Sequence, residues 1–125
     1  MAQLDTIQVT GNNFVDIGTK TIQSLIAVNT YSADVEFDLA IGPTGLHDGT
    51  ATTNAIFVLK NIPIPIGSSF VWDDDGTLED AFKGTSSITK YNASNDTFEA
   101  ITSGFTFLLR ASNASETISV LMRRK

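Results

Sequence analysis

Cysteine is absent from the 125-residue chain, which removes disulfides, thiolate metal sites and thiol nucleophiles together. Basic side chains are few. Eight Lys and Arg stand against fourteen Asp and Glu, a net charge of −6, so neither nucleic acid nor an anionic membrane is expected as a partner. Arg123, Arg124 and Lys125 hold three of those eight positive charges, which leaves the rest of the chain more acidic still. Charged residues amount to 18%, below the roughly 25% of ordinary globular domains, and the surface must be made largely of Ser, Thr and Asn. No apolar run approaches the roughly eighteen residues of a membrane helix, and Met1 to Thr6 lack a basic segment leading into an apolar one. A soluble protein made without a signal peptide is the expectation. No internal repeat of fixed period and no glycine-rich phosphate loop occurs.

What is present reads as strands. At this length the chain is one domain, 1–125, with a single core of ordinary size. The organising stretch is Ala55 to Trp72, in which Ile62, Ile64 and Ile66 alternate with Pro63 and Pro65. Three β-branched side chains then share one face of a stiffened, extended segment. Proline cannot donate to a ladder, so this segment is expected at a sheet edge or as a crossover between sheets, with Gly67 to Ser69 turning the chain into Phe70-Val71-Trp72. The clearest alternation runs from Ala33 to Ile41, with Val35, Phe37, Leu39 and Ile41 on one side and Asp34, Glu36 and Asp38 on the other, as in a half-buried antiparallel strand. Phe105, Phe107 and Leu109 alternate likewise, as do Ile118, Val120 and Met122. Thr21 to Asn29 is read as a strand with Ile22, Ile26 and Val28 on its apolar face. Residues 1–17 read as a hairpin or docking arm, and 123–125 as a basic tail. Thr77-x-x-Asp80, with Leu78 and Phe82 on one face and Gly84 as a stop, allows at most one short helix near 77–83. Short strands, polar turns and no long helix predict an all-β fold, a single antiparallel β-sandwich of jelly-roll-like form.

Each motif that resembles chemistry has a plainer reading. Asp34, Glu36 and Asp38 are spaced about 6.6 Å apart along a strand, as in a glycosidase pair, yet three carboxylates on a polar face supply no apolar site to raise one pKa. A solvated face that also blocks edge aggregation is preferred. Asp73-Asp74-Asp75-Gly76 clusters oxygens as a calcium loop does, but the EF-hand spacing places Val71 and Phe82 at ligand positions, and a surface turn is preferred. His47, beside Asp48 in a long loop from Gly42 to Asn54, is the only histidine and has no nucleophile to serve. Trp72, Tyr91 and Phe98 offer rings for a sugar platform or for the core. Three Asn-x-Ser/Thr triplets, at Asn92, Asn95 and Asn113, are about what chance yields in so Ser/Thr-rich a chain. No catalytic residue, cofactor or metal site is assigned, and an enzyme is not expected.

The pieces Phe14-Val15-Asp16-Ile17-Gly18-Thr19-Lys20-Thr21, Ile22 to Thr30, Asn61-Ile62-Pro63-Ile64-Pro65-Ile66-Gly67-Ser68-Ser69 and Phe105 to Met122 resemble, in this order, small β-sandwich virion proteins of tailed phages, including those of cyanobacteria. The likeness covers about two thirds of the chain, and the Ile-Pro crossover is its most telling part. The chain departs from the pattern between Val71 and Ala100, where it is longer, and at Gly104-Phe105, where an acidic residue commonly follows the glycine. The resemblance implies a bacteriophage structural protein of the virion, assembled in the host cytoplasm: a capsid decoration or cement protein or, alternatively, a neck, tail or fibre component that binds a receptor or glycan. It implies copies of the same chain, a trimer for preference, and the major capsid or another virion protein as partners, with no nucleic acid and no membrane. Candidate contact residues are Phe14, Val15, Leu46, His47, Ile62, Ile64, Ile66, Arg123, Arg124 and Lys125. For the last three the choice lies between a frayed tail and an electrostatic strap onto an acidic neighbour. Trp72 and Tyr91 are the candidate glycan contacts.

Overall fold

A computed structural model of the protein describes residues 3–18, 22–43, 56–73, 89–100 and 105–124. Among the described residues there are ten strands and no helix: β1 (Gln3–Thr10), β2 (Val15–Asp16), β3 (Ile22–Asn29), β4 (Val35–Pro43), β5 (Ile56–Ile64), β6 (Ser69–Asp73), β7 (Thr89–Asn92), β8 (Thr97–Ala100), β9 (Phe105–Ala111) and β10 (Thr117–Arg124). The helix expected near 77–83 lies outside the described residues. Eight strands form two four-stranded antiparallel sheets, A in the order β1-β10-β3-β6 and B in the order β2-β9-β4-β5. The pairing is nested. β4 pairs with β5, β3 with β6, β2 with β9 and β1 with β10, as in one long hairpin, and rolling it up adds the contacts of β10 with β3 and of β4 with β9. This is the jelly roll that the strand pattern predicts. β7 and β8 form a separate two-stranded sheet inserted between β6 and β9.

Alternation along the strands builds the core. Val35, Phe37, Leu39 and Ile41 of β4 and Phe107, Leu109 and Ala111 of β9 face Ile118, Val120 and Met122 of β10, and all are buried. Phe37 of sheet B meets Phe70 of sheet A with ring centroids 5.8 Å apart. Asn29, at the end of β3, is the polar member: its Nδ2 donates to Ala33 O at 2.8 Å and to Ile64 O at 2.9 Å, and its Oδ1 accepts from Tyr31 N at 2.8 Å. One side chain thus ties the β3–β4 turn to the end of β5.

Three expectations change. In β3 the buried apolar positions are Ile22, Leu25 and Ala27, whereas Ile26 is 39% exposed and Val28 half-buried. A register shift opposite Arg123 and Arg124 inserts one residue after Ile22, so the parity of the inward face changes along the strand. Residues 1–17 are not a hairpin, because β1 and β2 belong to different sheets and the chain crosses between them at Gly11, whose φ is 83°. Arg123 and Arg124 of the expected basic tail are the end of β10, a strand flanked by β1 and β3. The Ile-Pro stretch occupies both places expected of it. β5 is the edge of sheet B, and the turn Pro65 to Ser68, with Ser68 N donating to Pro65 O at 3.0 Å and Gly67 at φ 75°, carries the chain to β6 at the edge of sheet A.

Candidate interaction surfaces

The outer faces of the two sheets differ in kind, and the difference starts from one carboxylate. Asp38 points outward from β4, on the acidic side read as solvated, but it is 1% exposed. Its Oδ2 accepts from Arg110 Nε of β9 at 2.7 Å, and its Oδ1 accepts from Asn61 N at 2.7 Å and Ser112 Oγ at 3.2 Å. The Asn61 bond depends on irregular pairing between β4 and β5, where the register shifts on either side of Leu39 and Asn61 takes a φ of 51°. The Arg110 guanidinium lies 4.1 Å from the Phe14 ring centroid and 5.9 Å from that of Phe57, and Lys60 Nζ lies 4.9 Å from Phe57. Phe14, Ala40 and Leu108 are buried here with Phe57 packed against them, a second small core on the back of sheet B. Leu108 lies over Gly42 so closely that an added Cβ would stand 2.6 Å from Leu108 Cδ1. Among the described residues the buried Thr106 Oγ1 has no hydrogen-bond partner. This face is closed by its own side chains.

Arg124 anchors the open side of the sandwich, where β1 and β2 are the edges. Its guanidinium donates to Ile17 O, and burial lowers its pKa while Asp5 and Asp16 act in the opposite sense. These residues line a cleft of about 330 Å3 together with Thr6, Ile7, Ile17 and Met122. Strand alternation sends consecutive arginines to opposite faces, so Arg123 is exposed on the outside of sheet A and Arg124 is 6% exposed on the inside. An electrostatic strap made of all three basic residues is therefore corrected for Arg124, whose charge is held within the subunit.

Sheet A's outer face remains uncovered by the described residues. Cross-strand register places Thr6, Leu121, Ile26 and Val71 in one row across its four strands. Val71 is 60% exposed, and Leu4, beside Arg123 in the adjoining row, 67%. On the inserted hairpin, Tyr91 and Phe98 are exposed with ring centroids 5.2 Å apart, and the Tyr91 hydroxyl donates to Asp96 Oδ1 at 2.5 Å. That bond, and to a smaller extent burial, raises the Tyr91 pKa above its ordinary value.

No family model, curated protein or solved structure matches the chain. The placement of the candidate residues is thus the available guide. Phe14 and Ile64 are buried in the subunit, Val15 and Ile62 are half-buried against the core, and only Ile66 of the isoleucine series is largely exposed, because the Pro65 to Ser68 turn begins there. Trp72 packs against the core beside Leu25, which removes it from an exposed sugar platform and leaves Tyr91 with Phe98. Leu46, His47 and Lys125 lie outside the described residues, as do Asp74 and Asp75 beyond the end of β6. Among the described residues no three of His, Cys, Asp and Glu gather as metal ligands would. Reading the sequence missed Asp38 and Arg110 as a pair. Opposite charges at matching outward positions of β4 and β9 are the available signal, and it requires the strand pairing to be known.

Proposed function

We propose that the protein is a structural component of a tailed-phage virion, most specifically a capsid decoration or cement protein that stabilises the shell by subunit contacts and does no chemistry. The observation that carries this reading is the outer face of sheet A. There a regular sheet displays Ile26, Leu121 and Val71 in one row among Thr, Ser and Gln, with Arg123 and Asp73 beside it, while the buried ion pair of Asp38 with Arg110 is held on the opposite sheet. Apolar side chains on a stiff surface of low charge suit contact with a fixed partner. The resemblance of the Asn61 to Ser69 crossover and its flanking strands to phage virion proteins adds to this support, as does the jelly roll, a fold used by capsid and lectin domains among others.

Co-sedimentation with shells assembled from the major capsid protein tests the reading. Removing residues 1–16 is not a usable probe, since it deletes β1 and β2. The variant Ile26→Asp/Val71→Asp changes only exposed positions and is expected to keep the fold and lose at least tenfold in shell binding. Unchanged occupancy of that variant would refute the reading. A second reading, a neck, tail or fibre module that binds a receptor glycan, is favoured by the exposed Tyr91 and Phe98 rings. It requires binding on a glycan array that Phe98→Ala abolishes.

A further inference from the structure

Sheet edges attract other strands, and this protein treats its edges unequally. β5 carries Pro63, Lys60 and two register shifts, all devices that stop a strand from adding. β2 is two residues long, and β6 is five residues long and ends in Asp73. β1 is the exception: eight residues, Gln3 to Thr10, in unbroken register with β10, without proline, bulge or lysine. Among the described residues no strand pairs with its other side.

The free side can be resolved atom by atom. Gly11 N donates to Glu116 O at 2.8 Å, which continues the β1–β10 register by one residue and marks that pair as hydrogen-bonded. Antiparallel pairs alternate between bonded and non-bonded, so Val9, Ile7 and Asp5 exchange bonds with β10. Leu4, Thr6, Gln8 and Thr10 turn both N–H and C=O away from it. Their side chains are exposed on the outer face of sheet A.

We propose that this edge pairs with β1 of a second copy, antiparallel about a two-fold axis at Ile7, joining two A sheets into one of eight strands. The chain's own edges select the partner, because among the described residues no other edge strand of a copy, the four-residue β7 and β8 included, is both long enough and free of blocks to match β1. In this register Leu4 lies opposite Thr10 and Thr6 opposite Gln8, and every outward group of those residues is used, in roughly eight hydrogen bonds. Charge agrees. Two chains of net charge −6 repel, but Asp5 is the only charged residue of β1, it points inward into the cleft shared with Arg124, and this register sets it opposite Val9 rather than another Asp5. One strand pair buries little area, so the dimer is reversible. A two-fold pair also replaces the trimer that the resemblance favours, and it stands independently of shell binding.

The test is the solution mass of the full chain across a wide concentration range, without shells. A rise from one chain to two is expected. Gln8→Pro, which deletes an outward N–H and leaves the β1–β10 bonds intact, should remain a single chain with an unchanged urea midpoint. Hydrogen exchange on the unmodified protein provides the second readout: the amides of Leu4, Thr6, Gln8 and Thr10 should slow at least tenfold on raising the concentration, with unchanged rates in the β7–β8 turn. A single chain at every concentration, a stable trimer, equal dimerisation of Gln8→Pro, or concentration-independent exchange of those four amides overturns the proposal. Protection that appears only when shells are added also overturns it, by giving the edge to a shell strand. Shell binding retained by monomeric Gln8→Pro would leave the decoration reading standing on its own.

Discussion

Replacing Asp38 by Ala removes the acceptor for three donors at once. Arg110 Nε and Asn61 N each lie 2.7 Å from the carboxylate, and Ser112 Oγ lies 3.2 Å from it. Hydrogen bonds to an ionised group are worth about 1.5–3 kcal/mol each. Part of the loss is recovered, since Ser112 Oγ also has Asn61 Oδ1 at 3.4 Å and the Arg110 side chain, 11% exposed, retains some access to water. Breaking a buried pair by deleting one partner costs about 3–5 kcal/mol, and we take about 4 kcal/mol as the expectation. With a urea m value of about 2 kcal/mol per molar, the unfolding midpoint should fall by about 2 M at constant m. Arg110→Ala also loses the stacking on Phe14 and should cost about as much. The double variant decides the argument: residues in direct contact should couple, so the pair of changes should cost about 2 kcal/mol less than the sum of the single ones. A loss below about 1 kcal/mol for Asp38→Ala, or strict additivity, would refute the account of this face as closed by its ion pair.

Three further outcomes are expected. Asn29→Leu deletes three buried or half-buried hydrogen bonds and leaves Ile64 O and Tyr31 N unsatisfied, so urea unfolding should show a loss of about 3 kcal/mol. A loss under 1 kcal/mol would mean that water replaces the amide. Thr106→Val removes a buried hydroxyl that has no partner among the described residues and should leave stability unchanged or raise it by up to about 1 kcal/mol, and clear destabilisation would reveal a bond to Thr106 Oγ1. In an ultraviolet pH titration Tyr91 should ionise above its ordinary value of 10.0, because ionisation removes the proton it donates to Asp96. The hairpin contact is then fully present below the ordinary tyrosine pKa and lost as pH rises through the raised one. Asp96→Asn should move the Tyr91 midpoint back down, and an unmoved midpoint would separate the two groups.

Most strands were legible because one face of each is dry. The inward positions Val35, Phe37, Leu39 and Ile41, Phe107 and Leu109, and Ile118, Val120 and Met122 recur every second residue, although Ala40 and Leu108 are buried on the opposite face of sheet B, and the prolines at 63 and 65 marked an edge and a crossover. The misreadings share a cause: each turns on a contact made by a distant part of the chain. A bulge adds a residue without changing composition, so the face of β3 carrying Ile26 and Val28 was assigned to the core although Leu25 and Ala27 occupy it. Asp38 was placed on the correct side of its strand, but its burial depends on Phe14, Phe57 and Arg110, which come from other strands. Arg124 read as tail because β10 has no terminal signal, and its site is completed by Asp5, Asp16 and Ile17 from the opposite end of the sequence. Surface rings behave similarly. Trp72 and Tyr91 both lie in short strands, and pairing opposite Leu25 is what packs the first, half-buried, against the core.

Nested pairing also governs the order in which the molecule can be made. β10 separates β1 from β3 in sheet A yet is synthesised after every strand it touches, and β9 stands in the same relation to β2 and β4. While a chain is still growing from its ribosome, β1 has no partner on either side, and β3 and β4 lack their neighbours from β10 and β9. The inner halves, β3 with β6 and β4 with β5, can close early, and the long-range ladders follow only once β9 and β10 have been made. Sheet A is therefore unfinished until β10 has been made. Its outer face is complete only when this last strand is in place.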